Sequence, residues 1–500
     1  MDLASMDYDF NSTKQQFLSH QRPPPTARPS VLIAITLVVL VLVKKVLANK
    51  RAQRKIVDTY GCPIRELPMD TRVMKFAMSQ QISEQGKAVA GDAPFMIRNG
   101  RSRELVLTKP DHIRSFYKGD MKHHPKPPYL NMGEYFKRIL GHAVGAISGE
   151  RWSMIRRYFD PEFSFHVARQ SGDQFKSIIA QWVKDLPRYG VPVGRGFKLE
   201  VQGPCRFLPF QLVSQHIYGQ VFSEKLFDDL LSLNTLHEVI LFDVILNTRL
   251  TSKIWNWFDR SATRRMNEFN SKWKKFNMDI VNTARRENLN CPAERIFSGV
   301  DKNEMKVEEF LHTLDEILFA NVDVSSALLN TLFQHLAANP TIQQNLREEI
   351  ALYKSQDPND QSQYMSKTDT LLNFVVMEGM RFSPAFAFSL PECTSTAKEI
   401  GGYHIPANTP VVIDAKRLNG DPDSWGKDSD EFRPERFHEL PISKTRCQFM
   451  RFGVGAASGR CLGKNVADLI FKLTLMTVLE QFSLHAVEDN PEIEFRPLEA

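Results

Sequence analysis

The stretch that most constrains this chain is Phe452-Gly453-Val454-Gly455-Ala456-Ala457-Ser458-Gly459-Arg460-Cys461-Leu462-Gly463. Glycines at 453, 455 and 459 predict a tight loop poor in side chains. The apolar spacing Leu462, Val466, Leu469, Ile470, Leu473, Met476, Leu479 predicts a helix that Cys461 opens. A cysteine placed there has its thiolate favoured by the helix dipole and by backbone N–H groups, and a loop without bulk lets a flat ligand lie close. Those are the needs of an anionic sulfur bound to iron. A buried structural thiol beside a glycine turn would use the same residues, so other parts of the chain must decide between the two.

A chain of 500 residues with 42% apolar content can bury a large core, as one large domain or two packed closely. Its six cysteines, at 62, 205, 291, 393, 447 and 461, form no CxxC pair and no Cys/His cluster. Neither a zinc site nor a disulfide framework is indicated, and reduced thiols facing the cytosol are expected. The net charge of +6 points away from nucleic acid once it is located. Lys44, Lys45, Lys50, Arg51, Arg54 and Lys55 form one acid-free run, and the remainder is close to balanced. A basic run directly after an apolar segment is what the positive-inside rule expects on the cytoplasmic side of a membrane.

Residues 1–30 are polar, carry Arg22-Pro23-Pro24-Pro25 and predict a disordered tail. Residues 31–48 predict a transmembrane signal anchor: Val31 to Val43 holds no charge, and Lys44 and Lys45 can snorkel. No small-residue cleavage site follows, which sets it apart from a cleaved signal. The tail is then lumenal, and Asn11-Ser12-Thr13 is a glycosylation sequon within it. Residues 49–70 read as a basic, proline-containing linker and 71–500 as the catalytic domain.

Within that domain, Pro94 to Arg98 and Glu104 to Leu107 alternate around Asn99-Gly100 and predict a hairpin. From Asp111 onward the pattern is mostly helical. Val307 to Asn339 keeps helical periodicity without proline, which predicts one element of about 50 Å. Leu371 to Phe382 predicts a shorter helix stopped by Ser383-Pro384, and Glu399 to Asp414 alternates and turns like a small sheet. The fold class expected is mainly α with a small β region.

Three further pieces carry chemistry. Glu378 and Arg381 share a face of the short helix, and Arg436, in Phe432-Arg433-Pro434-Glu435-Arg436-Phe437, can reach back to that pair. Trp152 and Arg156 lie one helical turn apart and aim an indole edge and a guanidinium at one anionic group. Singly, each is as well read as an ordinary surface pair or packed indole.

Taken together and in this order, the pieces resemble the cytochrome P-450 family, the haem-thiolate monooxygenases, from about residue 60 to the C-terminus. The resemblance implies the cytochrome P-450 fold behind one N-terminal transmembrane helix. It implies haem b with Cys461 as the iron ligand, and Phe452, Gly455, Arg460 and Gly463 as the loop around it. Trp152 and Arg156 would hold a haem propionate, and Glu378, Arg381 and Arg436 would be a buried structural triad. Ala320-Asn321-Val322-Asp323-Val324-Ser325 would cross the haem on its distal side, with Asp323 as the proton-delivering acid. Thiolate ligation pushes electron density toward bound dioxygen and favours O–O cleavage.

Three departures from the family pattern stand out. The alcohol usual after the acid is replaced by Val324, so Ser325, about 100° further round the helix, or water ordered by Asp323, is expected to relay the proton. The cysteine loop is two residues longer than the common pattern, with Arg460 immediately before the cysteine. The chain stops at Ala500, where family members commonly continue with another hairpin, so the last substrate-contacting turn is expected to be absent.

The resemblance also implies a pocket roofed by the loop from about Lys122 to Val144, by Leu226 to Leu246 and by Ala385-Phe386-Ala387-Phe388. These stretches suit an apolar small-molecule substrate. The motif wording looks most like membrane-anchored filamentous-fungal members that tailor secondary metabolites. No GxGxxG is fused to the chain, so electrons from NADPH would come through a separate cytochrome P-450 reductase, docked near Lys444, Arg446, Arg451 and Lys464. The enzyme would be a single-pass protein of the endoplasmic reticulum membrane with its catalytic domain in the cytosol. Two other readings remain open: a haem-thiolate isomerase or dehydratase that needs neither O2 nor a reductase, and a catalytically lapsed membrane-anchored protein.

Overall fold

The computed structural model describes residues 56–498 apart from 73, 101, 121–123, 321, 357–360, 441, 455–458 and 489. The tail, the apolar segment 31–48, the sequon and Gly455 lie outside the described residues. No helix among the described residues is long and apolar enough to cross a membrane. The folded unit begins at Ile56. Residues 56–70, read from the sequence as the end of a linker, belong to it: Ile56 and Ile64 are buried, and β1 (Glu66–Asp70) joins the main sheet.

The fold is mainly helical with three small sheets. The largest runs β1-β2-β3-β9-β6, with β2 (Phe95–Asn99), β3 (Ser102–Leu107), β6 (Glu392–Cys393) and β9 (Pro410–Ile413). β2 and β3 form the expected hairpin, with Asn99 opposite Ser102. The two-residue alternation of strands sorts their side chains between two apolar clusters. Phe95, Ile97, Val106 and Val412 pack with Leu67 and Ile82. Met96, Leu105, Leu107, Val411 and Ile413 pack with Ile113 and Phe116, and this second cluster also takes Val454 from the cysteine loop. One end of that loop is thereby pinned to the sheet.

β7 (Lys398–Ile400) and β8 (Tyr403–Ile405) make a two-stranded sheet. The third sheet runs β10-β11-β5-β4, joining the hairpin β10 (Phe482–Ala486) and β11 (Ile493–Pro497) to β5 (Gly196–Leu199) and β4 (Val191–Val193).

The helices that matter to the site are, in chain order, α1 (Gly149–Phe159), α2 (Gln202–Tyr218), α3 (Glu224–Leu246), α4 (Lys253–Phe258), α5 (Arg260–Glu287), α6 (Val307–Leu318), α7 (Val322–Ala338), α8 (Leu371–Phe382) and α9 (Lys464–Leu479). α9 is apolar almost all round, and Val466, Leu469, Ile470, Leu473, Leu475, Met476, Val478 and Leu479 are all buried, as a helix through the middle of a large protein must be. Its one buried cation, Lys472, is satisfied by Asp468 at 2.8 Å and by the carbonyl of Met365 at 2.9 Å.

Two expectations are corrected. The single long helix over 307–339 is two helices, α6 and α7. Near the end of α6 the Ala320 N–H bonds to the Asp315 carbonyl, five residues back, at 3.2 Å. A bond of that span opens the α ladder, and such interruptions gather at functional sites. The helix after the cysteine loop begins at Lys464 with Gly463 at its N-cap. Cys461 therefore stands in the loop before the helix and does not open it.

Candidate functional site

The foundation of the site is a buried carboxylate. Glu378 on α8 accepts both Nε and Nη2 of Arg381, each at 2.9 Å, one turn along the same helix. It also accepts Nε of Arg436 at 2.9 Å and the Arg433 backbone N–H at 3.0 Å. All three side chains are buried. The remaining guanidinium N–H groups then reach main-chain carbonyls. Arg381 donates to Asn419 and Ser429, and Arg436 to Trp425, Asp428 and Glu431. A fork of five donors on a rigid plane can hold a loop in this way, which a lysine cannot.

From that brace the order passes to the cysteine loop. Asn419, fully buried, donates from Nδ2 to the Met450 carbonyl at 3.1 Å and accepts the Met450 N–H on Oδ1 at 2.9 Å. Met450 stands two residues before Phe452. The Phe452 carbonyl in turn accepts the Cys461 N–H at 2.9 Å and closes the loop. Gly453 has φ +91°, and a Cβ there would lie 1.9 Å from the Gly459 carbonyl oxygen, so no other residue fits this turn.

Cys461 is walled in by protein and yet accessible, the signature of a side chain facing an internal cavity. Burial is the main influence on its thiol and raises it. The Gly463 N–H and the charges of Arg156 and Lys464 work the other way, and Glu316 adds to the rise. Of the other five cysteines, Cys205, Cys291 and Cys393 are buried, Cys447 is half-buried and Cys62 lies at the surface.

Arg156 on α1 reaches the same loop, donating from Nη1 to the Arg460 carbonyl at 3.5 Å. Asp160 holds its Nε at 2.5 Å, and the guanidinium stacks over Trp152 at 5.3 Å from the ring centroid. The Arg460 side chain is exposed, while Phe452 and Gly463 are half-buried.

Glu316 on α6, Ala320 just after it and Val324 on α7 are each partly accessible. Asp323 instead lies exposed, with its carboxylate 3.0 Å from Arg206 Nε on α2. Ser325 is half-buried, and its neighbour Ser326 donates to the Asp323 carbonyl at 3.1 Å.

Three residues of the site carried no signal in the sequence. Lys126 donates to the Gly145 carbonyl at 2.6 Å, and its charge is felt by both Glu316 and Glu392. Burial lowers this ammonium below the ordinary lysine range, against the pull of those two carboxyls. Glu316 and Asn419 are the others. Each stands in a segment with no recognisable motif, and only the tertiary fold brings it to the site.

The donor set fits an iron porphyrin. A thiol stands accessible on a loop with little bulk, two cations, Arg156 and Lys126, lie near enough for their charges to register on each other, and burial favours the neutral form of Glu392 near Lys126.

Comparison with known proteins points the same way. The family model described as Cytochrome P450 matches residues 91–498. The chain is 55% identical to the cytochrome P450 monooxygenase apdB of Emericella nidulans, over 97% of this chain and 98% of that one. It is 43% identical to the monooxygenase opdB of Penicillium oxalicum, over 91% of each chain. It is 39% identical to the monooxygenase lepD of Aspergillus flavus, over 87% of this chain and 89% of that one. With a match over most of its length and a cavity-facing cysteine braced as described, the chain belongs to the cytochrome P450 family of monooxygenases.

Proposed function

We propose that this protein hydroxylates or epoxidises a largely apolar small molecule in fungal secondary metabolism, using O2 and electrons passed from NADPH by a separate reductase. The observation that carries the reading is the Cys461 thiol, surrounded by protein and yet accessible, on a loop braced by the Glu378–Arg381–Arg436 cluster. The names of the relatives above support oxygen insertion over isomerisation. When bound, the haem supplies an electron-rich iron able to activate dioxygen. The chain's own residues do the rest. Cys461 holds the iron with the loop at Phe452, Gly455 and Gly463 around it, and Arg156, Lys126, Trp152 and Arg460 receive the porphyrin carboxylates. The Glu378–Arg381–Arg436 cluster fixes the loop. Asp323, held by Arg206, and Ser325 are assigned to bringing protons to the cavity. Lys464, exposed at the start of α9, suits an acidic reductase face.

Expression with an NADPH-dependent reductase, feeding of candidate apolar metabolites and mass analysis under heavy dioxygen tests this. A product that gains one labelled oxygen, only with NADPH present, is expected. A product of unchanged oxygen content would point to isomerisation instead.

Attachment to the endoplasmic reticulum membrane, with the domain in the cytosol, is part of the same proposal, and the described surface supports it. Ile254, Trp255, Trp257 and Phe258 on α4 are exposed, Trp257 to 79%, beside exposed Phe242 and Leu246 on α3. Arg249, Lys253 and Arg260 flank them. Aromatic rings with basic neighbours suit the headgroup layer of a bilayer. Of the six tryptophans, 255 and 257 alone are exposed. In vesicles containing brominated lipid, tryptophan fluorescence of the full-length protein should be quenched, and replacing both Trp255 and Trp257 by Phe should remove most of that quenching. Undiminished quenching in the double variant would exclude this surface.

A further inference from the structure

A groove beside the exposed tryptophans carries more charge than attachment to a bilayer alone calls for. It holds about 500 Å³ between α4 and the first turns of α5 and is lined by Trp257, Arg260, Thr263, Arg264, Asn267 and Glu268. Arg260 and Arg264 are four apart on α5, so they share a face, and both are exposed. Among the described residues, neither guanidinium makes a hydrogen bond or an ion pair.

The neighbours that could have met these cations are engaged elsewhere. Glu268, the one acid among the six lining residues, accepts Lys272 Nζ at 2.6 Å. Asn267 Oδ1 accepts Nη2 of Arg138 at 2.6 Å, and Thr263 Oγ1 donates to the Asn256 carbonyl at 2.7 Å. Asp259, next to Arg260, caps α5: its Oδ1 accepts the Ala262 N–H at 3.0 Å and the Ser261 hydroxyl at 2.9 Å. Asp243 on α3 is paired with Arg265. Over residues 249–264 the chain carries Arg249, Lys253, Arg260 and Arg264 against the single acid Asp259. Like charges four apart on a helix repel mildly, and one anion held between them turns that repulsion into attraction.

The chemistry of the lining selects the anion. The planar fork of arginine matches phosphate oxygens two at a time. Rings seated at headgroup depth hold Arg260 and Arg264 within a Debye length of the lipid phosphates. The cytoplasmic leaflet is the one that carries acidic phospholipids. A choline headgroup sets its own cation against its phosphate, so a zwitterionic lipid offers the two guanidiniums no net charge.

We propose that this groove holds the phosphate of an acidic phospholipid between Arg260 and Arg264, with the Trp257 ring against the upper part of its acyl chains. The surface formed by α3, α4 and the start of α5 then selects lipids by charge.

Reading α4 as a membrane surface underlies this site, and the test separates the two. Full-length holoenzyme is reconstituted into vesicles of phosphatidylcholine with a minor share of phosphatidic acid, with brominated chains carried by one lipid or by the other. Per brominated molecule, phosphatidic acid should quench tryptophan fluorescence about fivefold more strongly than phosphatidylcholine. Arg260→Gln combined with Arg264→Gln should bring that ratio close to one while quenching by brominated phosphatidylcholine persists. Lys274→Gln combined with Lys275→Gln removes the same charge from exposed positions further along α5 and should leave the ratio as in the wild type. A wild-type ratio of one, a ratio unchanged in the arginine variant, or an equal loss in the lysine variant, the mark of diffuse surface charge, would each overturn the lipid site. Quenching by both lipids in proportion to their amounts refutes only the site. Absence of quenching by either refutes the membrane surface with it.

Discussion

Glu378→Gln should cost the fold about 3–5 kcal/mol, although the side chain keeps its size and nearly its shape. The carboxylate is the one negative group in direct contact with both buried guanidiniums, bonded to Arg381 twice and to Arg436 once. Neutralising it leaves two cations in a region with almost no solvent to screen them, and turns one acceptor oxygen into an NH2 that faces N–H groups. The damage should reach beyond α8, because the same guanidiniums hold the carbonyls of Asn419, Trp425, Asp428, Ser429 and Glu431. Asn419 then loses its fixed position against Met450, and the loop that presents Cys461 loosens. The measurement is the unfolding half-life of purified protein at a fixed elevated temperature, together with the haem retained. A rate is the sound quantity for a chain of this size, which is prone to irreversible unfolding. Arg436→Lys keeps the charge and loses the fork, and should fall between wild type and Glu378→Gln. A Glu378→Gln protein as durable as wild type would show that the cluster does not support the loop.

The parts of this architecture visible in the sequence are those where a local pattern and a local stop signal agree. α8 spans Leu371–Phe382 as read, because its apolar periodicity ends at Ser383-Pro384. The β2–β3 hairpin follows from alternation around Asn99-Gly100. Errors arose where a pattern continued past the structure that used it. Leu462 keeps step with the apolar face of α9, yet the helix starts only after Gly463. The 307–339 stretch keeps its period through the place where the Ala320 N–H bonds five residues back. Nothing in the order of side chains marks that change of ladder. Lys126, Glu316 and Asn419 were illegible for a different reason. Each acts through partners 19 or more residues away, Lys126 through Gly145, Asn419 through Met450 and Glu316 through Gly145. Those meetings depend on how the helices and the sheet pack, which no local spacing encodes.

Cys461→Ser separates chemistry from architecture. Sulfur is a soft, charge-donating ligand, and a serine hydroxyl at the same position neither ionises readily nor donates comparable density to iron. Oxygen insertion should fall by on the order of 10³-fold or more, equivalent to about 4 kcal/mol in the barrier, and the thiolate signature of the ferrous–CO spectrum should disappear. The fold should survive, because the loop is closed by the Cys461 backbone N–H to Phe452 and by Val454 in the sheet cluster, neither of which uses the sulfur. Helical content and unfolding half-life close to wild type are therefore expected, in contrast to Glu378→Gln. Cys447→Ser provides the control: this half-buried thiol precedes the loop, and its removal should leave both spectrum and turnover intact. If Cys461→Ser kept the thiolate spectrum while Cys447→Ser lost it, the ligand would be the wrong cysteine, and the bracing of the 452–461 loop would serve the fold and not the iron.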